Sequence, residues 1–154
     1  MSIVKNSVNL EGWLSISSLG LAIMFVLLVI SFYNFLIGTE GKGPDRFVDV
    51  RGVVIKTLSI SGAPSIILAG ISFGLSKNYG NRLSGILLSI TGSIFIIGMV
   101  VSLSLISYIP GEFIHPILVV VPYTFILGGI AILIIGFILY LKTAKGIKKT
   151  GRFN

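Results

Sequence analysis

Residues 117–141 read ILVVVPYTFILGGIAILIIGFILYL, an apolar run without one charged side chain, and residues 142–154 follow it as KTAKGIKKTGRFN. About 20 such residues carry an α-helix across the roughly 30 Å hydrocarbon core of a bilayer. Working outward, three further stretches meet the same test: residues 14–37, 57–75 and 84–108. The composition agrees. Hydrophobic residues make up 54% of the 154-residue chain and charged residues 11%, where soluble proteins carry about 25% charge. So few charges cannot cover a soluble surface. The expected fold is therefore all-α and integral to a membrane: one domain, residues 1–154, with four transmembrane helices in an antiparallel up-down arrangement and a basic tail at 142–154.

The remainder limits function. The longest stretch outside the spans is 38–56, too short for a soluble catalytic domain. The first span exceeds the 7–15 residues of a signal-peptide core and has no small-x-small cleavage pattern after it, so it reads as a retained helix, with Trp13 as an interfacial anchor. The chain has no cysteine and one histidine, which removes disulfides, thiolate metal sites and cysteine nucleophiles. No cofactor is expected.

The net charge is +7, but its placement speaks against nucleic acid. Lys5, Lys77, Arg82, Lys142, Lys145, Lys148, Lys149 and Arg152 fall on one side of a four-span arrangement; Lys42, Arg46, Arg51 and Lys56 fall on the other. Basic residues collect in the cytoplasm, which puts both termini there. A juxtamembrane cluster such as Lys145, Lys148 and Lys149 suits anionic lipid headgroups.

Helices in lipid associate where small residues let backbones approach. The second span carries Ser61, Ser65 and Ala69 at four-residue steps, then the GxxxG pair Gly70 and Gly74. The third carries Gly85, Ser89 and Ser93, then Gly98 and Ser102. These ladders predict that spans two and three form the packed centre, with the bulky 21–37 segment facing lipid or a partner. Pro64 and Pro122 lie inside spans, where each deletes a backbone donor and tends to kink the helix.

Candidate chemistry is sparse. No charge falls in the middle of any span, which counts against the titratable relays of proton-coupled pumps; Lys56 sits at a helix end where it can snorkel. Glu112 and His115 have an E-x-x-H spacing that would put a metal-binding pair on one helical face. Pro110, Gly111 and Pro116 argue against a regular helix there, and further ligands would have to come from another chain. The 38–46 loop is Gly-rich but fails the GxxxxGK[ST] phosphate-loop pattern. Gly43-Pro44-Asp45 reads instead as a turn that opens a helix with Pro44 at its first position. Asp45, Arg46, Asp49 and Arg51 then alternate in sign, either as solvated surface or as a docking patch for an extracytoplasmic domain. Asn34 and the serines are expected to hydrogen-bond between helices.

With its Ile/Ser/Gly-rich helices, lack of cysteine and short basic tail from Lys142 to Asn154, the chain resembles the small accessory helical subunits of archaeal ammonia monooxygenase. That resemblance implies a helical subunit without an active site of its own, copper and catalysis belonging to other chains. A small subunit of a respiratory complex fits equally. The expected function is thus a non-catalytic accessory subunit of a membrane complex, with other membrane subunits and anionic lipids as partners. The alternative is a small oligomeric transporter or channel with Pro64 and spans two and three lining the path. An enzyme acting on lipid is the third reading.

Overall fold

The computed structural model describes residues 10–45, 47–79 and 82–150. Among them there is no strand. Helix α1 spans Leu10–Ile37, α2 Val50–Thr57, α3 Ala63–Tyr79, α4 Arg82–Ile106 and α5 Pro116–Thr150. A π-helical turn, Leu58–Gly62, joins α2 to α3. Four helices are long and apolar enough to cross a membrane: Leu10–Ile37, Val50–Lys77, Arg82–Ile106 and Pro116–Lys142.

Local chemistry sets the ends. At the close of α1, Gly38 turns at φ 69°, a left-handed conformation that glycine adopts without strain. A Cβ there would meet the Gly43 carbonyl oxygen at 2.3 Å. The second span starts later than Pro44 and earlier than residue 57. Asp49 is its N-cap, accepting from the Gly52 N–H at 3.0 Å. The turn expected to open a helix at Pro44 is instead non-helical backbone, and the helix begins only after Asp49, whose carboxylate caps it. The fourth span begins at Pro116, whose missing N–H is no loss in a first turn. It runs past residue 141 to Thr150, since lysine and alanine sustain a helix and cations suit its C-terminus. Inside the second span, the Ala63 N–H reaches back five residues to Leu58. The π-turn thus falls just before Pro64, where the ladder loses a donor.

Each helix buries one seam. On α1 it runs Glu11, Ser15, Ser18, Ala22, Phe25, Val29, Tyr33 and Leu36; on α4 it includes Leu88, Thr91, Phe95, Gly98 and Ser102. Steps that alternate between three and four residues are the pattern of knobs-into-holes packing. At the centre Phe25, Phe95 and Phe125 meet, with ring centroids 4.4 to 6.1 Å apart. Gly62 packs on the rings of Phe25 and Phe125.

The pairing of helices differs from the expected central hairpin of spans two and three. The closest partners are α4 and α5; α1 lies against α3 on one side and α4 on the other; α3 and α4 scarcely touch. The cause is complementarity between small residues. The third span's glycines meet glycines of the fourth, and the second span's serines meet serines of the first.

Candidate functional site

Two interfaces account for most of the polar and small residues inside the bundle. Between α4 and α5, a Cβ on Gly92 would lie 2.5 Å from the Gly129 carbonyl oxygen and 2.6 Å from the Leu133 nitrogen. One on Gly136 would lie 2.6 Å from the Ser89 nitrogen, and one on Gly85 would lie 2.9 Å from the Tyr140 nitrogen. The backbones themselves are in contact, which only glycine permits.

Between α1 and α3, hydroxyls take over. Ser18 donates to the Ser65 carbonyl and Ser65 to the Ser18 carbonyl, both at 2.8 Å. Ser72 and Ser15 each donate to the Glu11 carbonyl at 2.9 Å and touch one another. In hydrocarbon such pairs satisfy groups that water would otherwise serve.

A third device joins α1 to α5. Pro122 carries no N–H, so the Leu118 carbonyl four residues earlier has no donor in its own helix. The buried Tyr33 hydroxyl supplies one at 2.6 Å.

The residues singled out from the sequence divide accordingly. Ser61, Ser65, Ala69, Gly85, Gly98 and Ser102 are buried, and Gly98 packs on Val26. Ser89 and Ser93 are half-buried, donating to the Gly85 and Ser89 carbonyls. Gly70 and Gly74 stand apart: both are exposed, and a Cβ on either would meet nothing within 4 Å. This GxxxG pair is not a contact within the bundle. Asn34, expected to bridge helices, donates to Ile30 of its own helix at 3.1 Å.

At the loop end, the 47–51 and 112–115 segments come together around a groove of about 330 Å³. It gathers Asp49, Arg51, Glu112 and His115, with Phe47 at its edge 98% exposed. Asp45 is also exposed; Arg46 lies outside the described residues, as do the side chains of Lys145, Lys148 and Lys149 on the last turns of α5. Glu112 occupies a 3₁₀ turn, Gly111–Phe113, so the E-x-x-H pair has no common helical face. The His115 Nδ1 accepts from the Ile117 N–H at 3.3 Å, a capping contact at the start of α5. Among the described residues no three His, Cys, Asp or Glu side chains form a group that could hold a metal ion.

Sequence reasoning missed the joining of the two loops, the Tyr33–Leu118 bond, and Ser15, Ser18 and Ser72 as partners. The signal for the serines was present: the small residues of the first span crowd into its first third.

These features define an all-helical chain compatible with a multi-pass membrane protein, held together by glycine and serine interfaces. No protein-family model matches it, and no match was found among curated proteins or solved structures.

Proposed function

We propose that the protein is a non-catalytic structural subunit of a larger membrane complex, crossing the bilayer four times in an antiparallel up-down course with both termini in the cytoplasm. The observation that carries this reading is the unused glycine face. The chain employs its other close-packing glycines internally, at Gly62, Gly85, Gly92, Gly98, Gly129 and Gly136, whereas Gly70 and Gly74 point outward with open space above them. A GxxxG pair lets another helix approach closely, so a helix from a neighbouring subunit fits there. Exposed aromatics at both ends, Trp13 on one and Phe47, Tyr108 and Tyr123 towards the other, suit the two interfaces of a bilayer.

The loop-end groove, with its mixed charges and exposed Phe47, is the natural seat for an extracytoplasmic part of a partner. The basic end of α5 would contact anionic lipid. Ammonia-monooxygenase-type and respiratory assemblies are the first complexes in which to look. A path for a transported solute within one chain would have to pass Phe25, Phe95 and Phe125, which fill the centre. The channel alternative therefore needs a path between copies.

Leucine at Gly70 and Gly74 tests the reading. The double variant should fold with no loss of stability, because its side chains enter open space, yet lose at least tenfold of its association with partner subunits on a native gel. Full association of that variant would count against the proposal. Arg51→Glu is the matching probe of the groove, since Asp49 also caps α2 and its loss would confuse folding with docking.

A further inference from the structure

Two prolines interrupt the long helices, and each leaves a carbonyl without its helical donor. At Pro122 the Tyr33 hydroxyl, reaching across from α1, supplies one to Leu118 at 2.6 Å. Pro64 withholds a donor from the Ile60 carbonyl in an α-turn and from the Ser59 carbonyl in a π-turn. Ser59 loses both options, because the Ala63 N–H that would serve it in an α-turn reaches back to Leu58. The Ser61 hydroxyl, within the same π-turn, donates to the Thr57 carbonyl at 3.0 Å. Among the described residues no side chain donates to the Ser59 carbonyl.

The break lies on the outer face of the bundle. Ser59 and Ile60 are exposed and Ala63 is half-buried, and the same side continues through the exposed Ile67, Gly70 and Gly74, in steps of three or four residues. Ser59 sits about 14 Å along the Val50–Lys77 helix. In a bilayer that depth has no water to serve a carbonyl, and a bare one is costly. An acyl chain can cover the face but has no proton to donate. Residues 57–76 include no charged side chain, so an arriving lysine or arginine would meet no counter-charge. A neutral hydroxyl or carboxamide meets the need. We infer that the neighbouring subunit's helix that packs on this face brings a Ser, Thr, Asn, Gln or Tyr side chain opposite Ser59 and donates to its carbonyl, as Tyr33 does to Leu118. This rests on the subunit reading above: the glycines let a helix approach, and the carbonyl sets which side chain that helix must present.

The test uses the complex extracted from native membranes, with retention of the chain in the complex band followed as detergent is raised. Ala63→Thr and Ala63→Val differ by one hydroxyl for one methyl. A threonine hydroxyl can bond back to the carbonyl four residues earlier, which here is Ser59. Satisfied within its own helix, that carbonyl no longer needs the partner. Ala63→Thr should therefore associate about threefold to tenfold more weakly than Ala63→Val, the range measured for hydrogen bonds between membrane helices. Pro64→Ala, which lets the Ala63 N–H return to Ser59, should weaken association to the same degree while leaving the isolated chain at least as stable. Equal retention of the threonine and valine variants, or tighter retention of threonine, would overturn the inference. The Gly70→Leu, Gly74→Leu double variant tells the two failures apart. If it dissociates while threonine and valine stay equal, a helix packs here without bringing a donor. If it too is retained, lipid covers this face and the subunit reading fails with it. A band holding only this chain would put a second copy there and overturn both.

Discussion

Leucine in place of Gly92 should cost the protein about 3 kcal/mol of stability, at the upper end of what overpacking exacts. The reason is which atoms are in the way. At most overpacked sites a neighbouring side chain finds another rotamer. Here a Cβ would meet the Gly129 carbonyl oxygen at 2.5 Å and the Leu133 nitrogen at 2.6 Å, and backbone atoms of a continuous helix yield only if the whole helix moves. The α4–α5 interface is the most extensive in the bundle, so its separation is felt throughout. Gly70→Leu provides the internal control. Both substitutions gain the same intrinsic helix propensity, about 1 kcal/mol or slightly less, but Gly70 has open space above it. Unfolding followed by circular dichroism in mixed micelles should therefore show a large loss for Gly92→Leu and none for Gly70→Leu. Equal behaviour of the two would contradict the assigned interface.

The second large effect concerns Tyr33. Tyr33→Phe removes one oxygen and leaves the Leu118 carbonyl buried without a donor, a penalty of about 1–3 kcal/mol. Simple loss of a tyrosine hydroxyl could give a similar number, so the decisive experiment is a cycle with Pro122→Ala. Alanine restores the N–H that Leu118 lacks in its own helix, and the hydroxyl becomes dispensable. Tyr33→Phe should cost at least about 1 kcal/mol less in the Pro122→Ala background than in the native one, a coupling typical of residues sharing one network. An equal cost in both backgrounds would mean that the tyrosine does not serve the proline.

The contrast between these two sites explains what could be read from the sequence. The four long apolar helices were legible because the length and apolarity that a bilayer crossing requires show in every sequence window. The small-residue ladders were legible as interfaces, and Gly85, Gly98, Ser61 and Ser65 do lie in them. Which ladder meets which was not, since periodicity gives the face of a helix and says nothing of the neighbour. The run from Ser61 through Ala69 to Gly70 and Gly74 conceals two faces in one list of small residues: Ser65, Ala69, Ser72 and Ser76 turn inward, while Gly70 and Gly74 turn out. The Tyr33–Leu118 bond links residues 85 positions apart, and only the missing N–H of Pro122 hinted that a donor must come from elsewhere. At the loops, Pro44 as a first-turn residue and Asp49 as a capping carboxylate both signalled the start of the second helix. The chain settles on the one followed three residues later by Gly52, whose N–H it caps.

Structurally, then, the chain uses its glycines and serines to hold itself together and leaves one glycine pair and one charged groove facing out. The claim that these surfaces serve neighbouring subunits is tested most directly by extracting the protein from its native membranes in mild detergent, separating the extract on a native gel and identifying the band's contents by mass spectrometry. Migration with unrelated membrane subunits in a fixed ratio is the predicted result. Migration alone, or only with further copies of itself, would contradict it.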